Sequence, residues 1–159
     1  MPEGDPRPVR HETTVPAAAA DAFEMFTAGL ARWWPAEFTW SQDKLEEIGI
    51  ECREGGACYE LGPDGFRCDW GRVVDWRPPE RVLLRWQITS QRVPEPDPAK
   101  ASEVVVTFTP RDRDGSLVAV EHRGFERHGD GADNYRAGMD RGWDYLLERF
   151  AHCVRLTAR

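Results

Sequence analysis

His122 is the side chain in this sequence whose type and setting best suit proton chemistry. Apolar and polar residues alternate from Ser116 to Gly124, so Val118, Val120 and His122 fall on one side of a strand. An imidazole turned toward an apolar interior can exchange a proton with a bound molecule, with a tyrosine such as Tyr59 or Tyr135 assisting. It can equally be a core histidine satisfied by a nearby hydroxyl or backbone carbonyl. Glu121 is no partner for it, because adjacent strand residues face opposite sides. His11, His128 and His152 lie on unrelated segments, and no metal centre is expected.

The second group is aromatic. Seven Trp in 159 residues is a large number for one domain, and such rings either fill a core or frame a pocket. Tyr135, Met139 and Trp143 share a helical face and would form one wall of a cavity. Trp33, Trp34, Tyr59, Trp70, Trp86, Phe108 and His122 would supply the other. Plain core packing is the simpler reading of an aromatic stripe. No nucleophile elbow, phosphate loop, dinucleotide fingerprint or zinc-binding His-Glu-x-x-His helix is present, and no cofactor is expected.

The elements that must position these residues are legible from periodicity. Tyr135, Met139, Trp143, Leu146, Phe150 and Val154 recur at spacings of three and four, which predicts a helix over Ala132 to Arg155, with Asp130 as its cap. At about 1.5 Å per residue it would run about 36 Å, enough to cross a small domain. Val9 to Val15 reads as a first strand, and Pro16 to Ala28 as a helix with Ala19, Ala22, Phe23 and Phe26 on its apolar face. Leu30 to Trp34 reads as a short helical turn, and Phe38 to Asp43 as a loop without a clear period.

Period two then persists from Glu46 to Gly124. A two-residue turn at Gly55-Gly56 would place Cys52 opposite Tyr59, with Ile48, Ile50, Cys52, Ala57, Tyr59 and Leu61 sharing a face. That register disfavours a Cys52–Cys58 disulfide, and four irregularly spaced cysteines read as free thiols. Phe66 to Trp76 is a strand whose register depends on whether a bulge at Gly65 exchanges Trp70 and Gly71. Arg81 to Thr89 and Ser102 to Thr109 complete the alternation, with Val104, Val106 and Phe108 on one face.

The order predicts an α+β fold: a curved antiparallel sheet of about seven strands around a long C-terminal helix, with two short helices after the first strand. Residues 1–7 read as a disordered tail and 8–157 as a single domain. A formal charge of −7, with no basic run, excludes a nucleic-acid footprint. No apolar run has the length of a signal or a membrane span, so a soluble, cytoplasmic protein is expected. The sequence leaves room for a homodimer.

Several short stretches together resemble the START-like or SRPBCC superfamily with its helix-grip fold. They are Val15-Pro16 to Asp21-Ala22-Phe23, Trp33-Trp34-Pro35, Gly71-Arg72-Val73 leading to Pro78-Pro79-Glu80-Arg81-Val82 and Trp86, His122-Arg123-Gly124-Phe125, and Gly142-Trp143 with Leu146. The nearer branch looks like the C-terminal domain of activators of the heat-shock-protein ATPase. The resemblance implies a cavity between helix and sheet that holds apolar or amphipathic small molecules, and relatives that include cyclases, hydrolases and lipid carriers. Three functions are expected, in this order: binding of a small hydrophobic or aromatic molecule, a cyclase, dehydratase or hydrolase using His122 as acid or base, and a protein-interaction or co-chaperone-like module.

Overall fold

A computed structural model describes residues 7–158. Of the expected tail, residues 1–6 lie outside the described residues. Seven antiparallel strands form one sheet: β1 (Val9–Val15), β2 (Glu47–Ile50), β3 (Ala57–Leu61), β4 (Arg67–Arg77), β5 (Arg81–Trp86), β6 (Ser102–Arg111) and β7 (Gly115–Arg123). Their spatial order is β1-β7-β6-β5-β4-β3-β2, so every neighbour except β1 is a hairpin partner in sequence. One face holds Val82, Leu84, Trp86, Val104, Val106, Phe108, Val118, Val120 and His122, all buried. The long helix α2 (Ala132–Thr157) lies against that face, as in a helix-grip fold. Among the described residues no helix is long and apolar enough to cross a membrane.

Helix α1 (Ala19–Phe26) is shorter than its apolar pattern predicts. It buries Ala19, Ala22, Phe23 and Phe26, and the Thr27 hydroxyl closes its end by donating to Phe23 O at 2.7 Å. The chain then makes 3₁₀ turns at Leu30–Arg32, Ala36–Phe38 and Gln42–Lys44. These give the segment without sequence period a defined path.

Three expectations change. Ile50 pairs with Cys58 and Gly49 with Tyr59, because the chain takes a wider turn over Glu51 to Gly56. Within it Gly55 has φ 79°, and the Glu51 carboxylate accepts the Ala57 N–H at 2.7 Å. An odd shift in register moves side chains to the other face. Ile48, Ile50, Cys58 and Glu60 are therefore buried on the inner face, and Ala57 is buried next to the turn. Tyr59 turns outward, where its hydroxyl donates to Glu47 at 2.7 Å and its ring lies under Arg67.

In β4 the bulge falls at Trp70 and not at Gly65: Cys58 pairs with Gly71, and Tyr59 with Asp69. Trp70 and Gly71 are consequently both buried instead of exchanging faces. Glycine is required at position 71, since a Cβ there would stand 2.8 Å from Arg85 O. The third change is at the start of α2. Gly131, with φ 83°, occupies the cap position and no side chain caps the helix. The left-handed approach through Gly129 and Gly131 leaves Asp130 before the cap. The four cysteines are free thiols.

Candidate ligand-binding site

The two halves of α2 meet different surroundings. Leu146, Leu147, Phe150, Ala151 and Val154 are buried, and Phe150 packs edge-on against Phe26 and Trp33 with ring centroids 5.2 and 5.3 Å apart. Beside the N-terminal half, which touches β1 on one side, a cavity of about 800 Å³ opens on the other. Its walls are the 36–44 segment, the end of β5 with the residues after it, and the helix face carrying Gly131, Tyr135, Gly138, Met139 and Gly142. A Cβ at Gly138 or Gly142 would meet nothing within 4 Å. The helix backbone itself is thus part of the wall.

A cluster of four tryptophans forms the floor. Trp34 stacks on Trp70 at 5.8 Å and 20°, Trp70 meets Trp86 at 5.6 Å, and Trp143 lies 5.9 Å from Trp86. Trp34 and Trp86 line the cavity, and Trp70 and Trp143 stand behind them in the core. Among the other residues expected to frame it, Tyr135 and Met139 line the cavity. Trp33 and Phe108 are core residues packed around Phe26. Tyr59 is on the outer face, so its expected place in the cavity is corrected by the β2–β3 register.

His122 faces inward, fully buried, and does not line the cavity. Trp143 Nε1–H donates to its Nδ1 at 3.1 Å. Indole is a donor only, so Nδ1 must carry the lone pair and Nε2 the proton. Nε2–H then donates to Ser102 Oγ at 2.7 Å, and His128 Nε2 is hydrogen-bonded to the same hydroxyl, also at 2.7 Å. Burial holds the His122 pKa well below the ordinary histidine value, and His128 adds to the depression. With both nitrogens hydrogen-bonded within the protein and the ring outside the cavity lining, His122 is placed as a core histidine. Its expected acid–base role is thereby corrected.

Tyr135 is similarly committed: its hydroxyl accepts from Trp86 Nε1 and donates to Ile88 O, both at 2.7 Å. Burial raises its pKa. The phenol therefore fixes the wall and has no proton to spare for a ligand.

Other residues of the site carried no periodic signal. Phe38, Trp40 and Gln42 enter from the 3₁₀ segment, and Arg92, Arg141 and Tyr145 stand around the opening. The segment is held by Glu60, fully buried, whose carboxylate accepts Trp40 N–H at 3.1 Å and Ser41 N–H at 2.7 Å. The Trp40 indole reaches across the opening to donate to Arg92 O at 2.7 Å. Among the described residues no group of three or more His, Cys, Asp or Glu is placed to hold a metal ion.

The family model described as "Activator of Hsp90 ATPase homolog 1-like protein" matches residues 16–155. The chain belongs to this family. Among solved structures, this member of the activator-homolog family is similar to an anthrahydroquino-γ-pyrone synthase, Txn09, solved in complex with a molecule designated SUM. That likeness has 35% identity and a TM-score of 0.68, over 97% of this chain and 100% of the other. It is also similar to CalC of Micromonospora echinospora, a self-sacrificing resistance protein, at 28% identity and a TM-score of 0.64, over 94% of each chain. A protein of Nitrosomonas europaea, NE0264, shares the fold at 13% identity and a TM-score of 0.67, over 99% of each chain. No curated protein matches. Family and neighbours together support a ligand-binding domain.

Proposed function

We propose that this chain binds a planar, polycyclic aromatic molecule in the cavity between α2 and the sheet. The observation that carries the reading is the cavity itself: about 800 Å³, floored by Trp34 and Trp86 and walled by Tyr135, Met139 and bare helix backbone. Small-molecule sites occupy roughly 300–1,000 Å³ and are mostly apolar with a few placed polar groups. Flat aromatic walls favour flat aromatic guests through offset stacking and burial of apolar area. The synthase at 35% identity, whose name describes a fused-ring aromatic product, adds support for that ligand class.

A second reading, favoured by the same likeness, is a ring-closing enzyme on such a molecule. His122 and Tyr135 are already hydrogen-bonded within the protein, so catalysis here would rest on folding the substrate and excluding water. Binding is the reading the geometry supports better.

The test is intrinsic tryptophan fluorescence during titration with a panel of tricyclic and tetracyclic quinones, with native mass spectrometry of the gently purified protein alongside. Saturable quenching by at least one panel member is expected in the wild type. It should be lost in Met139→Arg at an unchanged melting temperature. An unquenched wild type, together with a clean apo mass, would sink the proposal.

A further inference from the structure

We infer that the bound molecule is an anion, its oxyanion held at the cavity mouth by Arg92 and Arg141. This rests on the binding reading above and specifies the chemical class of its ligand. The chain is acidic, with 28 Asp and Glu against 21 Lys and Arg. Yet the eighteen residues lining the cavity include no carboxylate, and their charged members are the two arginines. The cavity thus has the opposite sign to the protein around it.

The segregation is visible along α2. Asp140 and Asp144 turn toward β1, where His11 Nε2 lies 2.7 Å from Asp140 and Nδ1 lies 3.9 Å from Asp144. Arg141, between them in sequence, turns to the cavity. Arg92 approaches from the opposite wall, with φ 61°, its carbonyl engaged by the Trp40 indole.

Arg10, Arg67, Arg77 and Arg123 are all tied to carboxylates. Arg92 and Arg141, like several arginines outside the cavity, have no carboxylate within 4.0 Å among the described residues; what sets these two apart is their place in the cavity lining. Two guanidinium groups without counter-ions, above a floor of indoles, match a flat ring system bearing a carboxylate or an ionised phenol. The planar fork bonds two oxygens at once and tolerates stacking on an aromatic plane. A ligand of no charge would give these groups nothing to neutralise, and an ammonium would be repelled.

The experiment compares three probes of one shape: anthraquinone-2-carboxylate, its primary carboxamide and 2-(aminomethyl)anthraquinone. Each is titrated into the wild type, Arg92→Gln, Arg141→Gln and the double variant. The carboxylate is expected to bind at least tenfold more tightly than the carboxamide, and the ammonium most weakly. The advantage should shrink in each single variant, vanish in the double, and fall with added salt. Melting temperature should stay within about 2 °C across the four proteins, and the readout is the carboxylate-to-carboxamide affinity ratio within each protein. A hydroxyanthraquinone titrated across its phenol pKa separates the two oxyanion sources, since a gain on ionisation would assign the phenolate. Equal binding of carboxylate and carboxamide would overturn the anion inference and leave the aromatic site standing. If none of the three binds, and the quinone panel leaves the wild type unquenched with a clean apo mass, both readings fall.

Discussion

The two halves of α2 carry one continuous apolar stripe and do opposite things with it. From Phe150 onward the stripe is sealed against α1, Trp33 and the sheet, and Phe150 has no exposed surface. Before Trp143 the same stripe, at Tyr135 and Met139, is only partly buried and faces empty space. The difference lies in what is opposite. Phe23, Phe26 and Trp33 fill the one end with interlocking rings. At the other end a 3₁₀ segment, fixed by Glu60 and by the Trp40 link to Arg92, faces the helix across the cavity. A helical hydrophobic pattern states that a face avoids water. It does not state whether protein or ligand supplies the cover.

Truncation separates the two halves of α2 most directly. Phe150→Ala should cost about 3–5 kcal/mol, the range for a large ring removed from a closed core. Met139→Ala should cost about 1 kcal/mol or less, because its side chain already borders a void. Urea denaturation measures both, and equal losses would mean that the cavity end is as tightly packed as the core. Glu60→Ala comes next, at about 2–4 kcal/mol, since two backbone N–H groups lose their acceptor. Hydrogen exchange at Trp40 and Ser41 should rise with it, and quinone affinity should fall. Unchanged exchange would show that the wall does not depend on Glu60.

Trp143 marks the border between the halves, and its bond to His122 sharpens the contrast through pH. The folded His122 pKa is depressed by burial, whereas in the unfolded chain the ring titrates near the ordinary value of about 6.5. Above that pH neither state holds the proton and stability is flat. Below it the unfolded chain takes up a proton that the buried ring refuses. Stability therefore falls on acidification, by up to about 1.4 kcal/mol per pH unit, until the folded pKa is reached. His128, also lowered by burial, contributes in the same direction. Denaturation midpoints from pH 7.5 to 5.5 should drop in the wild type and drop less in His122→Gln. Parallel slopes would place the titration elsewhere.

Much of this was legible in the chain, and the exceptions have identifiable causes. Alternation placed Val104, Val106, Phe108, Val118, Val120 and His122 on the inner face because one face of the sheet is wet and the other dry. Tyr59 went to the wrong face because register depends on turn length, and the Glu51 to Gly56 turn is wider than Gly55-Gly56 suggests. His122 was oriented correctly. Its role depended on Ser102 and Trp143, which are 20 and 21 residues away in sequence. Phe38, Trp40, Arg92 and Arg141 gave no period because loops and helix rims have none, and only packing assembles them.

Gly138 and Gly142 are the sequence signal that best separates the two halves, and they yield the smallest and most discriminating prediction. Each sits inside a helix, where glycine is destabilising by roughly 0.5–1 kcal/mol relative to alanine. Neither has the usual structural reason for being glycine: their φ values are not positive, and a Cβ would meet nothing within 4 Å. No glycine occurs in α2 after Trp143. Gly138→Ala and Gly142→Ala should therefore raise stability by about 0.5–1 kcal/mol each, while the added methyl groups enter the cavity and weaken binding of a flat quinone severalfold. Opposite signs in the two measurements mean that the bare backbone is kept for a ligand's close approach. A gain in stability at undiminished affinity would mean that the ring plane rests elsewhere in the cavity, against Trp34 and Trp86 alone.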